Sequence, residues 1–439
     1  MNSRDVALNV LLDIESNKTF SNIALSKALR QNQFEDKKDR AFVTRLVEGT
    51  TEYRIKLDYV INQFSKTGIN KCKPLIRCLL RMGAYQIIYM DSVPSSAACN
   101  ETVKLAKKHG FGSLSGFVNG VLRSISRAYD DNGIEYPDET ENEIKYLSIK
   151  YSMPEWLVNK IISDYPKEGK RIIEGTFEER ATTIRVNECN TDTKGLRELL
   201  EGAGLCVMSG AYTDKALRIS NYDFVRKIPG YRQGLFTVQD ESSICAVADA
   251  DIKPGNIVFD VCAAPGGKTS AAAEYLKGTG RIYSMDISED KLELIAENIE
   301  RLGFENVKIL AHDATVKLTP SDLDMDGETV MADVVIADLP CSGLGILGRK
   351  NDIKYRVVEE DLHNLTKLQK QILSVVREYV KPHGTLLYST CTINPDENQN
   401  NVRWFLEENK DFYLEKERLF LQGVDECDGF YYAVLRRNK

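Results

Sequence analysis

Along the first third of the chain, apolar residues recur at spacings of three and four, the pattern of helices that bury one face. Val6, Val10, Leu11 and Ile14 share such a face, as do Phe42, Val43, Leu46 and Val47. The same period covers Leu57 to Phe64, Pro74 to Met90, Ala97 to His109 and Ser115 to Ile125, so Arg4 to about Ala128 predicts an all-helical bundle. The turn formers of Asp130-Asp131-Asn132-Gly133 and Tyr136-Pro137-Asp138 predict a boundary. Helical spacing returns at about 140 to 165, with Pro154 placed to open a helix at Glu155-Trp156-Leu157.

The period then changes. Thr182 to Val186, Lys194 to Gly202, Leu205 to Met208, Ala216 to Ile219 and Leu235 to Val238 read as strand, helix, strand, strand and strand, a small α+β module. From Asp251 onward strands alternate with helices, which predicts a doubly wound α/β domain with a mainly parallel sheet. A chain of 439 residues exceeds what one core serves. The expected division is a helical domain over 1–130, a helical linker and α+β module over 140–235, and the α/β domain over 236–439.

Within the α/β part, Val258-Phe259-Asp260 is a strand that turns through Val261-Cys262-Ala263-Ala264-Pro265-Gly266-Gly267 into a helix opening at Lys268-Thr269. Such a turn needs glycine for its backbone whether or not a ligand sits there. The next strand, however, ends in Asp286, twenty residues beyond Gly266, where an acidic residue meets ribose hydroxyls. A third strand ends at His312-Asp313-Ala314. Neither G-x-G-x-x-G nor a P-loop is present, so a cofactor with a ribose and no phosphate, S-adenosylmethionine, fits better.

Two further buried strands each deliver a cysteine. Val334 to Ala337 leads into Asp338-Leu339-Pro340-Cys341-Ser342-Gly343, and Thr385 to Tyr388 leads into Ser389-Thr390-Cys391-Thr392-Ile393-Asn394-Pro395. A thiolate is a strong nucleophile toward an electron-poor ring carbon and also leaves readily. Cytosine suits it, because carbon 5 becomes nucleophilic only after a thiolate adds at carbon 6. Asp338 would hydrogen-bond the ring in its protonated form. Packing alone would account for Cys262 and for the seven cysteines without a motif.

Composition narrows the field. Ten cysteines without C-x-x-C and four scattered histidines predict reduced thiols, with neither a disulfide framework nor a metal site. The net charge of -7 is unevenly spread: residues 1–129 carry 20 Lys+Arg against 11 Asp+Glu. A basic N-terminal part is suited to phosphates. There is no run of about eighteen apolar residues, and Met1-Asn2-Ser3-Arg4-Asp5 lacks a signal-peptide core, so a cytosolic protein away from membranes is expected.

These motifs closely resemble those of the RNA 5-methylcytosine methyltransferases of the Sun family, over nearly the whole chain. Asp260 to Thr269 looks like the family's cofactor loop, Asp338 to Gly343 like its Pro-Cys motif, and Ser389 to Asn398 like its Thr-Cys motif. Gln239-Asp240-Glu241-Ser242-Ser243 resembles the segment that leads into the catalytic domain. Leu339, where Ala or Pro is usual, and Thr392, where Ser is usual, depart from the pattern without removing a reactive group. The resemblance implies a Rossmann-like class I fold, with Cys391 as nucleophile, Cys341 assisting release, and Asp338 at the base. It also implies cofactor contacts from Cys262, Ala263, Ala264, Pro265, Gly266, Gly267, Lys268, Asp286, Asp313 and Asp338, Lys268 being equally able to face the target base.

The helical bundle resembles the NusB-like RNA-binding domain, with Arg4-Asp5-Val6-Ala7 near its start and Phe117 to Arg123 near its end. The 140–235 segment resembles a helical linker and a ferredoxin-like module. This arrangement implies a monomeric cytoplasmic enzyme acting at C967 of bacterial 16S ribosomal RNA, within an assembling small subunit. Transfer RNA as substrate, or a non-catalytic RNA-binding factor, are the alternatives. Arg349, Lys350 and Lys354 read as a loop that could meet RNA phosphates.

Overall fold

A computed structural model describes residues 2–32, 37–323 and 330–438. The chain forms two compact units: one comprises residues 1–177 together with 347–356, the other residues 178–346 and 357–439.

The first unit is helical. Its central helix, Pro74–Tyr89, opens with proline at its N-terminus and buries nearly every residue from Ile76 to Ile88. Helices Ser3–Ser16, Lys37–Glu52, Arg54–Phe64, Ser95–Lys108 and Ser115–Asp130 bury one face each, in a single cluster that includes Val6, Leu46, Val60, Leu79 and Leu122. Arg81 is enclosed there with its charge matched: Nε and a terminal nitrogen donate to Asp58 at 2.6 and 2.7 Å, and the other terminal nitrogen to Glu15 at 3.0 Å. The helix Ser21–Asn32, which the apolar spacing did not indicate, buries only Ala24 and Leu25. Helices Glu143–Lys150, Glu155–Asp164 and Gly169–Gly175 complete the unit.

The second unit holds two sheets. Strands β1 (Thr182–Val186), β2 (Cys206–Ser209), β3 (Ala216–Ser220) and β4 (Phe236–Val238) pair antiparallel in the order β2-β3-β1-β4. Leu196 and Leu200 of the helix Thr193–Gly202 pack on Ile184, Leu217 and Phe236 of that sheet. The larger sheet comprises β5 (Ile257–Asp260), β6 (Arg281–Asp286), β7 (Val307–Ala311), β8 (Ala332–Asp338), β9 (Val380–Thr390), β10 (Phe412–Phe420) and β11 (Phe430–Arg437), in the order β10-β11-β9-β8-β5-β6-β7. Alternate residues of its strands face two layers of helices. Val335 and Leu386 meet Leu373 and Phe405 on one side, while Val258, Val334 and Ile336 meet Ala272 and Leu276 on the other.

Five strands, β7-β6-β5-β8-β9, run parallel, as the alternation predicts. The last two are antiparallel, β11 to β9 and β10 to β11, because only Leu421 to Gly429 joins them, too short for a crossover helix. Strand order reverses between β5 and β8, the switch point at whose C-terminal strand ends open α/β sheets bind ligands. Among the described residues no helix is long and apolar enough to cross a membrane.

The small sheet is locked to the cofactor-side helix by a buried arginine. Arg185 of β1 is 2% exposed and forms an ion pair with Glu274 of the helix Gly267–Leu276. It also donates to Gln239 Oε1 at 2.7 Å and Ser270 Oγ at 2.8 Å. Removing one partner of a buried pair strands the other charge, so Arg185→Met is expected to destabilise this unit by about 3–5 kcal/mol. The double variant with Glu274→Leu should recover most of that loss, as read by urea unfolding.

Candidate active site

The ends of four neighbouring strands surround the switch point. At the end of β5, Asp260 is fully enclosed and its Oδ2 accepts from Thr269 Oγ1 at 2.7 Å. Its other oxygen has no hydrogen-bond partner. Burial pushes this carboxyl up to about 7. The loop after it reaches Gly266, whose φ of +96° lies in the left-handed region, and the helix Gly267–Leu276 starts at the next residue. That geometry aims the first turn of a helix at the switch point.

At the end of β6, Asp286 closes the same loop: Oδ2 accepts from Ala264 N at 3.2 Å, and Oδ1 from Ile287 N at 2.9 Å and Lys291 Nζ at 3.0 Å. Cys262 is half-buried, and burial raises its thiol well above the usual range. Asp313, past the end of β7, turns back on its own loop, accepting from Thr315 N at 2.9 Å and Thr315 Oγ1 at 2.7 Å. The backbone bond from Thr315 holds its carboxyl below the ordinary range.

The ends of β8 and β9 lie level, Asp338 opposite Ser389. Asp338 Oδ2 accepts from Lys268 Nζ at 2.6 Å and Oδ1 from Ser389 Oγ at 2.8 Å, so cofactor loop and both cysteine strands meet at one carboxylate. Lys268 is 7% exposed and lies 4.9 Å from the centre of the Phe430 ring. Beyond these strand ends, the Cys341 and Cys391 sulfurs are 3.1 Å apart. Their contact, reinforced by burial, holds the Cys341 thiol well above the usual range.

Sequence reasoning passed over the group that joins the two loops. Glu397 is fully buried on the short turn Pro395–Glu397 and accepts from Ser342 N at 2.9 Å, Ser342 Oγ at 2.5 Å, Asn394 Nδ2 at 3.0 Å and Gln369 Nε2 at 3.0 Å. The sequence signal was weak: a carboxylate six residues after Cys391, directly beside a second one at Asp396.

Two expectations need correction. Lys354 is not in a phosphate-facing loop: it is 2% exposed within the helical unit, donates to Tyr151 O at 3.3 Å and lies 4.6 Å from the Phe177 ring centre. Burial pulls its ammonium down to about 7. Arg349 and Lys350 are exposed. Of the seven cysteines read as structural, Cys189 and Cys206 are on the surface.

S-adenosylmethionine fits the strand ends of β5 and β6 on two observations. The unpartnered Asp260 oxygen is a buried acceptor for a cofactor rich in donors, and Gly266 leaves the loop without a side chain where it turns.

Three family descriptions match the chain: NusB family over residues 1–127, a Methyltr_RsmF/B-like ferredoxin-like domain over 153–225, and 16S rRNA methyltransferase RsmB/F over 249–436. The probable ribosomal RNA small subunit methyltransferase B of Bacillus subtilis (strain 168) is 34% identical over 410 residues, 93% of this chain and 89% of that protein. Its counterpart from Synechocystis is 32% identical, covering 94% of this chain and 91% of that protein. Among solved structures, PH0851 shares the fold over 100% of this chain and 99% of its own, with a TM-score of 0.83 at 24% identity. NSun6 from Pyrococcus horikoshii, solved with SFG, shares it over 65% of this chain and 98% of its own, with a TM-score of 0.58 at 21% identity. With its NusB, ferredoxin-like and methyltransferase regions all matched in order, the chain belongs to the RsmB/F family of S-adenosylmethionine-dependent 16S ribosomal RNA methyltransferases.

Proposed function

We propose that this enzyme methylates carbon 5 of C967 in 16S ribosomal RNA through a covalent adduct on Cys391. The observation that carries the reading is the thiol pair, 3.1 Å apart, at the ends of β8 and β9 beside the cofactor loop of β5. On this reading the enzyme works as a monomer in the cytoplasm, on an assembling small subunit. Residues 1–130 and 140–235 grip RNA, and residues 236–439 carry the chemistry.

Cys391 Sγ adds to carbon 6 of the flipped cytosine, and the electron pair displaced from the 5,6 double bond makes carbon 5 nucleophilic. Asp338, fixed by Lys268 and Ser389, accepts a hydrogen bond from the protonated pyrimidine edge and so holds the ring in its electrophilic form. The bound cofactor supplies an electrophilic methyl group. Before attack Cys391 gives up its proton to solvent, and the Cys341 sulfur, 3.1 Å away, is placed to donate its S–H to the resulting thiolate. Once Cys391 is bonded to carbon its sulfur carries no negative charge to hold the Cys341 proton, so Cys341 can lose that proton to solvent and become a base. Its thiolate takes the carbon 5 proton, the double bond re-forms, and the carbon–sulfur bond breaks with its electrons returning to Cys391. Asp260, Cys262 to Lys268 and Asp286 hold the cofactor, with Asp313 at the outer end.

Cys391→Ala is expected to lower methylation by at least about a thousandfold and leave no RNA adduct. Cys341→Ala should instead accumulate an adduct visible on a denaturing gel, and adducts appearing with the opposite substitution would reverse the roles. Labelled S-adenosylmethionine offered with separate 16S and transfer RNA pools tests the substrate: label in transfer RNA alone, or in neither, rejects the reading.

A pH dependence follows from Asp260. Its carboxyl, with a pKa of about 7, is mostly neutral at pH 6 and mostly ionised at pH 8. S-adenosylhomocysteine carries an ammonium that stays charged across that range, so its binding should tighten about tenfold from pH 6 to 8. Calorimetry should show Asp260→Asn flattening the profile.

A further inference from the structure

We propose that Glu397 is a positioning residue for Cys341, clamping the Pro-Cys loop against the Thr-Cys loop so that the two thiols stay in contact. The proposal rests on the roles assigned above to Cys391 and Cys341.

The geometry encloses Cys341 from both sides. Ser342, the residue after it, gives both its backbone N–H and its hydroxyl to Glu397. Pro340, the residue before it, has its carbonyl held at 2.9 Å by Gln369 Nε2, the same nitrogen that donates to Glu397 at 3.0 Å. The Gln369 amide is itself oriented, since its oxygen accepts from Asn401 Nδ2 at 2.8 Å. Glu397 in turn belongs to the Cys391 loop, fastened by Asn394 Nδ2 and by the Tyr388 hydroxyl donating to its carbonyl.

A carboxylate is specifically required there. Four donors converge on two oxygens, all of them neutral groups, and no cation is among these partners. A buried anion without a countercharge is costly, and a neutral amide would offer one acceptor atom while pointing a second donor at donors. The arrangement is explained if two functions need it: fixing the Cys341 backbone, and placing a negative charge near its sulfur. That charge supports, after the Cys391 contact and burial, the raised pKa of Cys341.

Glu397→Gln keeps the side chain's size and removes the charge. With full-length unmodified 16S RNA and labelled S-adenosylmethionine, single-turnover measurements should show adduct formation within about threefold of the parent enzyme and release slowed at least about tenfold. The KM values for RNA and cofactor should be unchanged, and the inflection in the release rate should move to lower pH. Glu397→Asp, which restores the charge, should recover part of the release rate. Formation and release falling together, or release remaining at the parent rate, would overturn the proposal.

Should Glu397→Gln fail to fold by circular dichroism, Ser342→Ala removes one donor and leaves the carboxylate in place. It should slow release several-fold without slowing attack, and parent-like release would again overturn the clamp. Cys341→Ala and Cys391→Ala, run alongside, separate the two failures. If Cys341→Ala traps no adduct, the assigned thiol roles are wrong; if it does and Glu397→Gln releases normally, only the clamp is.

Discussion

The register of β8 on β9 is the constraint on which the site depends. Asp338 lies opposite Ser389, and Leu339 N donates to Ser389 O at 3.0 Å just beyond. Side chains alternate at a period of two, so a slip of one residue would turn one of these strands' side chains to the wrong face. The pairing continues past the strands: Gly345 N donates to Cys391 O at 3.1 Å, and Gly429 N to Gly345 O at 2.8 Å. A Cβ on Gly345 would stand 1.9 Å from the Gly429 carbonyl oxygen, so only glycine permits this approach. Two cysteines fifty residues apart meet because backbone, rather than side chains, sets where their loops begin.

Around that frame, three carboxylates sit among three different sets of partners. Asp260 has a hydroxyl as its one donor and no adjacent ion pair, and burial carries it up to about 7. Asp338 has a nearly buried lysine on one oxygen and keeps the other on a hydroxyl. Glu397 has four neutral donors. One small region thus gives one carboxylate a single hydroxyl, one a lysine and a hydroxyl, and one four neutral donors.

Much of this was legible because local pattern and final environment agree. The strand ends at Asp260, Asp286 and Asp338 follow from apolar runs that stop, and doubly wound sheets gather ligands at such ends. The burial of Glu397 was not legible, since three of its four donors come from two other segments, one of them a helix beginning 38 residues earlier. The antiparallel β10 and β11 were hidden by an alternating pattern that parallel and antiparallel strands share. The helix Ser21–Asn32 exposes most of its surface, and its first N–H is accepted by Asp352, 331 residues away, at 3.0 Å. No local capping signal therefore marks its start.

Charge shows the same separation between counting and environment. Residues 1–129 carry an excess of nine positive charges. Ion pairing does not erode that excess, because Arg81 with Asp58, Arg77 with Glu15, Lys104 with Glu101 and Lys108 with Asp5 remove one charge of each sign. What pairing changes is which charges remain to be met: the acids are consumed faster than the bases, being fewer. Glu52 goes further, its carboxyl raised by burial and so less readily charged. The excess over residues 1–129 therefore survives pairing, although burial also lowers the pKa of Arg4 and Lys56. Since phosphate attraction scales with the cations that displace counterions, this local excess suits an RNA partner although the whole chain carries a net charge of -7.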